Sequence, residues 1–147
     1  MRNINSMLFM VGIEKPSSPD EAFGIVVPVF EKLGYACISA SDTEQDVLQQ
    51  AKYCILELLQ EVISDGHLIS SLETGFTSYS EEYPDYDLWV GLDIDVESLK
   101  PKQKRININM YEPLLKRVDD FVQSHQNYKD RSDFLAKAAV NEMAQHQ

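Results

Sequence analysis

The chain has few of the residues that metal, thiol and membrane chemistry need. Its two cysteines, Cys37 and Cys54, stand apart in apolar surroundings with no CxxC spacing, so they read as reduced core thiols of a cytoplasmic protein. Its three histidines, His67, His125 and His146, fall in two loops and at the chain end without ligand spacing, which leaves no reason to expect a metal. No apolar run approaches the roughly 20 residues of a membrane-spanning helix. The opening stretch "MRNINSMLFMVGIEK" has one early Arg and then charge soon after a short apolar segment, a strand rather than a signal peptide. There are no internal repeats and no low-complexity tract. Basic residues are scarce through the first two thirds: residues 1–99 carry 4 Lys/Arg against 18 Asp/Glu, a balance of −14.

What is present fits a folded chain. A length of 147 residues suits one ordinary domain or a medium domain with a small appendage, and 44% hydrophobic residues exclude a disordered one. Residues 100–147 reverse the charge, with 9 Lys/Arg against 6 Asp/Glu, a balance of +3. Two parts with different partners follow from that asymmetry. The first repels nucleic acid and attracts a basic surface, unless its charge only solvates it. The second does the opposite. The change falls at "LKPKQK" (99–104), giving a domain over 1–99, a linker over 100–103 and a domain over 104–147.

In the first part, "MLFMVGIEK" (7–15) and "FGIVVPVF" (23–30) read as a hairpin around the turn-rich "PSSPDEA", and "YACISAS" (35–41) as a third strand. Asp42 with Gln45 has the form of a capping box opening a helix to about Asp65. That helix has Ala51, Ile55, Leu58 and Val62 on one face, and Gly66 stops it. Residues 67–87 are irregular. In "LWVGLDIDV" (88–96), Leu88, Val90, Leu92, Ile94 and Val96 share one face, and Trp89, Gly91, Asp93 and Asp95 the other. Strand, strand, strand, helix, loop, strand describes a small α+β sheet with its helix on one face.

The second part opens on "RININM". Ile106, Ile108 and Met110 point one way, and Arg105, Asn107 and Asn109 the other. Two helices follow. The first has Pro113 in its first turn and Leu114, Leu115, Val118, Phe121 and Val122 as its face. "SHQNYKD" breaks it, with Asn127 in place for a left-handed cap. Asp130 caps the second helix, with Asp133 at the third position, and Phe134, Leu135, Ala138, Ala139 and Met143 form its face. One strand and two helices cannot bury enough apolar surface alone, and a lone strand leaves its backbone unpaired. Two chains pairing these strands antiparallel remove both deficits. Their two-stranded ribbon fits the major groove of B-DNA, where Arg pairs with guanine and Asn with adenine.

With its "RININM" alternation, "EPLLKRVDDF" and "DRSDFLAKAA", this segment resembles the ribbon-helix-helix family of DNA-binding domains. The resemblance implies DNA contact by Arg105, Asn107 and Asn109. It also implies a phosphate at the start of the second helix, near Asp130, Arg131 and Ser132 with Lys129 and Lys104 alongside. Residues 1–99 have their own likeness. "MLFMVGIEK", "AFGIVVPVF", "ACISASDTEQDVLQQA" and "VISDGHLI" resemble the N-terminal domain of HicB antitoxins, the neutralising partners of HicA toxins, which are small ribonucleases that cleave messenger RNA. "PVFEKLGYACIS" departs from that family's shorter "PDLPGCFS" turn. The resemblance implies an α+β fold, a partial ribonuclease-H-like β-β-β-α-β domain joined to a ribbon-helix-helix. It implies a non-catalytic, cytoplasmic antitoxin that forms dimers or tetramers, masks a HicA-type toxin and represses its own operon by binding operator DNA, with no cofactor.

The densest acidic stretch, "SEEYPDYD", offers Glu81, Glu82, Asp85 and Asp87 as the toxin-facing charges, with Tyr79, Tyr83 and Tyr86 as flat anchors. A different-class alternative is a free-standing transcription regulator whose first domain senses a small ligand. A nuclease, with Glu14, Glu57 and Asp93 as its carboxylates, is a weaker third, since nothing in their spacing brings them together.

Overall fold

The computed structural model describes residues 6–99 and 101–146. The first five residues of the opening stretch, Lys100 of the linker and Gln147 lie outside those residues. The chain divides into two compact units, 1–101 and 102–147. Among the described residues, no helix is long and apolar enough to cross a membrane.

The first unit is a four-stranded antiparallel sheet with one long helix. Its strands are β1 (Ser6–Glu14), β2 (Phe23–Val26), β3 (Ile38–Ser41) and β4 (Leu88–Asp95), in the order β3-β2-β1-β4. The hairpin pairs Gly12 with Val26 and Glu14 with Gly24. The full length of β4 lies against β1, from Ser6 opposite Asp95 to Ile13 opposite Leu88. Alternation puts Met7, Phe9, Val11 and Ile13 of β1 on one face with Ile25 and Ile94, all buried. Onto that face packs α1 (Val47–Ser64), whose Val47, Ala51, Ile55, Leu59 and Val62 recur every three or four residues. Leu59 rather than Leu58 completes the buried stripe, with Leu58 at its margin. The rings of Phe9 and Phe30 stack at 5.7 Å within this core.

Local chemistry sets where these elements begin and end. Strand β2 stops at Val26, not at residue 30, because Pro28 opens a 3-10 helix, Pro28–Leu33, ended by Gly34 at φ 82°. Strand β3 is correspondingly shorter than residues 35–41 promise. The expected Asp42–Gln45 capping box is absent. A 3-10 turn, Glu44–Asp46, precedes α1, and Thr43 Oγ1 donates to Asp46 Oδ2 at 2.7 Å. The stop at Gly66 is as the sequence predicts. Gly66 has φ 90°, its N–H bonds Ile63 O and that of His67 bonds Val62 O, the two bonds of a Schellman motif.

On the face of the sheet away from α1 an aromatic cluster covers the end near Gly12. Trp89 lies opposite Gly12, and a Cβ at Gly12 would sit 2.7 Å from the indole and 2.9 Å from Val26. The indole is ringed by Tyr79, Tyr83 and Tyr86, with centroids at 6.0, 6.3 and 6.5 Å. Aromatic packing on a side-chain-free patch of β1 thus pins residues 79–89 to the sheet.

The second unit has two helices, α2 (Glu112–Ser124) and α3 (Arg131–Ala144). Asp130 Oδ1 accepts from the N–H of Asp133 at 2.8 Å, and Asp133 Oδ2 accepts from the N–H of Lys129 at 3.0 Å, so both carboxylates cap α3. The turn before it closes without a left-handed residue, since no described non-glycine residue has positive φ. Asn127 is therefore not the cap expected of it. Phe121 organises the turn instead, stacked on His125 at 3.9 Å and packed on Tyr128 and Phe134 at 5.8 and 5.4 Å.

Gly12→Ala should destabilise the first unit by about 1–3 kcal/mol, because the methyl overpacks the Trp89 contact. That exceeds the gain of up to about 1 kcal/mol from removing a strand glycine. A lower urea midpoint and a shifted emission of the single tryptophan would report it together.

Candidate nucleic-acid interface and acidic partner surface

The segment expected to be a strand, 105–110, forms no strand pairing within the single chain. Its polar row, Arg105, Asn107 and Asn109, is exposed, and so is Lys104. Its apolar row is only partly covered: Ile106 is 72% and Ile108 58% exposed, and Met110 is half-buried. Ile108, Asn109 and Met110 border a cleft of about 290 Å3 with Leu115 of α2 and Arg131 and Leu135 of α3. Among the described residues of this unit only Val118 is a buried hydrophobic, while Leu114 and Phe121 remain 44% and 40% exposed.

At the start of α3, Lys129 and Ser132 are exposed. Arg131 is committed elsewhere. Its Nε and Nη2 donate to the two carboxylate oxygens of Asp119 at 2.9 and 2.8 Å, a bidentate clamp between α2 and α3. The guanidinium's hydrogen bond holds Asp119 below the ordinary aspartate value. The backbone N–H of Lys129 is the first cause of the same shift at Asp133. Neither the clamp nor its partner was visible in the spacing, because Asp119 and Arg131 lie on different helices.

In the first unit Glu81, Glu82, Asp85 and Asp87 are all exposed, on the loop that the aromatic cluster holds against the sheet. The three tyrosines are not free anchors. They are half-buried around Trp89, and Tyr83 Oη donates to Glu31 Oε1. Burial first, and that hydrogen bond second, push the Tyr83 phenol up to about 12. Burial also raises Tyr86, with the Glu14 carboxylate adding to it. Trp89 Nε1 is buried without an acceptor among the described residues. A groove of about 430 Å3 runs beside the loop, lined by Pro28, Val29, Glu31, Lys32, Tyr79, Glu82 and Tyr83.

The carboxylates weighed for a nuclease do not converge. Asp93 pairs across from Leu8, six residues along β1 from Glu14, roughly 20 Å at strand spacing. Glu57 lies on the exposed side of α1. His67 meets Tyr35 edge-on, His125 stacks on Phe121 and His146 lies beside Glu142. Among the described residues no three His, Cys, Asp or Glu side chains are grouped to hold a metal ion.

A family model described as HicB-like antitoxin of bacterial toxin–antitoxin system matches residues 9–139. A protein of Haemophilus phage HP1 (strain HP1c1), the uncharacterized 14.9 kDa protein in the rep-hol intergenic region, is 32% identical over 139 residues, spanning 93% of this chain and 98% of its own. The antitoxin HicB3 is similar in fold, with TM-score 0.51 and 21% identity over 92% of this chain and 97% of that one. The Burkholderia pseudomallei antitoxin HicB shares 27% identity over 91% of this chain and 96% of that one, with TM-score 0.44.

The caps and the clamp make the second unit acid-sensitive. The folded-state values of Asp119 and Asp133 lie below 3.8, so their contribution is complete above that pH and is lost as the pH falls through the lowered values. Asp130→Ala should remove about 1 kcal/mol at neutral pH. Circular-dichroism melts over the acid range should show a flatter acid limb in the Asp119→Asn, Asp133→Asn chain than in the parent.

Proposed function

This chain belongs to the HicB-like antitoxin family of bacterial toxin–antitoxin systems, and from that premise we propose that it neutralises a HicA-type mRNA-cleaving ribonuclease and represses its own operon. On this reading residues 104–147 form a ribbon-helix-helix by pairing with a second copy, and the first unit masks the toxin. The reading assigns no catalysis to the chain itself.

The observation that carries the DNA-binding half is the unclosed core of the second unit, where Ile106 and Ile108 remain 72% and 58% exposed above two helices. A row of exposed apolar side chains gains free energy when something covers it, and such a patch marks an interaction surface. A second copy does so and also pairs the unbonded backbone of 105–110. The resulting ribbon presents Arg105, Asn107 and Asn109 from each chain to base edges. Lys104, Lys129 and Ser132 approach phosphates, and Arg131, clamped to Asp119, sets the start of α3 beside them. Ile108→Asp should leave a monomer that no longer binds operator, as sedimentation and a mobility-shift titration would report. Arg105→Ala or Asn107→Ala should lose about 1–3 kcal/mol per base contact and relax specificity there. Lys129→Ala should weaken all sequences alike and reduce the salt slope by about 1. Normal operator binding by both strand variants would rule out the ribbon as the reader.

The toxin-binding half rests on charge. A ribonuclease that binds RNA presents a basic surface, and an acidic inhibitor gains steering and register from it. Glu81, Glu82, Asp85 and Asp87 supply the densest exposed charge on a loop that Trp89 holds in place. Reversing all four to Lys should slow association with the toxin, most at low salt, because exposed charges are screened beyond about 10 Å at 0.1 M. Growth protection equal to the parent, at equal expression, would remove this loop from the contact.

A further inference from the structure

Cys37 and Cys54 lie 17 positions apart in the chain, yet their sulfurs are 3.0 Å apart. Both are free thiols. Cys37 is buried just ahead of β3, where its carbonyl accepts from the N–H of Val27 at 2.9 Å. Cys54 is half-buried on α1, between Ala51 and Ile55 of the core stripe. Rigid elements hold the two sulfurs together: the buried strand edge on one side and the middle turn of an 18-residue helix on the other. Nothing in the proposed DNA or toxin contacts uses either thiol.

The two sulfurs are not equivalent. Only Cys54 has access to solvent, and Cys37 is 2% exposed. The Cys37 thiol shares its proton with Cys54, which lowers Cys54 to about 7 against the opposing effects of burial and the Glu57 carboxylate. The same hydrogen bond, followed by burial, holds Cys37 far above the usual thiol range. Cys54 is therefore the sulfur that a solute can reach, and Cys37 is a shielded thiol in contact with it. That division suits an attacking and a resolving cysteine.

We propose that Cys54 and Cys37 form a peroxide-reactive pair that closes a reversible disulfide between α1 and the segment leading into β3. The Cys54 thiolate attacks one oxygen of hydrogen peroxide. The S–O bond forms, the O–O bond breaks, and the departing hydroxide takes a proton to become water. Sulfur is oxidised to the sulfenic acid and the peroxide is reduced. Cys37 then attacks Cys54 Sγ. The S–S bond forms, the S–O bond breaks, and hydroxide leaves as water with the proton that Cys37 gives up. Two thiols and one peroxide become one disulfide and two waters, and an external dithiol reverses the change. The cross-link joins strand edge to helix and restricts the unfolded chain, so the oxidised first unit melts higher. This inference does not depend on the antitoxin reading.

The test treats the reduced full-length chain with hydrogen peroxide, quenches with catalase and alkylates the remaining thiols. Peptide mapping without reductant should find one Cys37–Cys54 cross-link within the chain, loss of both free thiols, and recovery of both with dithiothreitol. The initial rate should rise with pH as Cys54, lowered from the usual thiol value, ionises, and fall about tenfold per pH unit well below that point as the thiolate fraction does. Cys37→Ser should arrest the reaction at a Cys54 sulfenic acid that dimedone traps. The parent-chain readouts stand even if that variant folds poorly. Three results would overturn the proposal: both thiols surviving a peroxide dose that consumes them in the unfolded chain, Cys54 passing to the sulfinic acid with Cys37 still reduced, or a cross-link only between chains.

Discussion

The second unit has more apolar surface and more unpaired backbone than one chain can satisfy. Among its described residues a single hydrophobic, Val118, is buried, while Ile106, Ile108 and Met143 are exposed. Burying a side chain of that size is worth about 1.5–3 kcal/mol, so one such residue cannot offset the ordering of two helices and an extended segment. The helices nevertheless have well-made local chemistry. Two aspartates cap α3, a bidentate clamp joins it to α2, and an aromatic cluster closes the turn between them. On the proposed reading, local order without a closed core marks half of an assembly. On that reading, dimer formation and DNA recognition are then one event, because the same strand supplies the dimer's backbone pairing and the base-contacting row.

The first unit closes its own core, which frees its surface to differ. Its sheet has α1 on one face and an aromatic cluster over one end of the other. The absence of a side chain at Gly12 lets Trp89 seat there, and the tyrosines gather on Trp89. That seat is what gives the acidic loop a fixed place. A loop of four carboxylates repels itself and would otherwise extend. The charges therefore face solvent as an ordered patch, because the rings behind them are packed.

Features set by neighbours in sequence were legible beforehand. The hairpin, the β4 alternation, the α1 stripe apart from Leu59, the Gly66 stop and the Asp130 cap each rest on periodicity or on contacts within about one helical turn. The misreadings share a cause. Pro28 ended β2 early because its fixed φ and missing N–H suit the 3-10 turn that follows. Asp42 lost the cap because the chain inserted a 3-10 turn before α1. Asn127 is not left-handed because Phe121, six residues back, closes that turn by ring packing. The tyrosines read as outward anchors, and only the pairing of β4 with β1, which sets Trp89 on Gly12, turns them inward. The Asp119–Arg131 clamp and the Cys37–Cys54 contact join residues with no periodic relation, so no spacing rule could have found either.

The opposite charges of the two parts have a consequence for how the proposed activities combine. A balance of −14 over residues 1–99 beside +3 over residues 100–147 means that the chain as a whole is repelled by DNA, and any affinity for operator would have to come from contacts within a Debye length, about 8 Å at physiological salt. A basic toxin bound to the first unit would cancel part of that repulsion without touching the DNA-reading strand. Binding free energies are reciprocal, so operator DNA would then raise the affinity for toxin by the same factor. Screening confines the effect to charges close to the phosphates, so the coupling is small beside the contacts themselves and weakens further as salt is added. On the proposed reading, the acidic unit would thus disfavour DNA binding by the free chain, and a toxin of opposite charge would relieve the penalty.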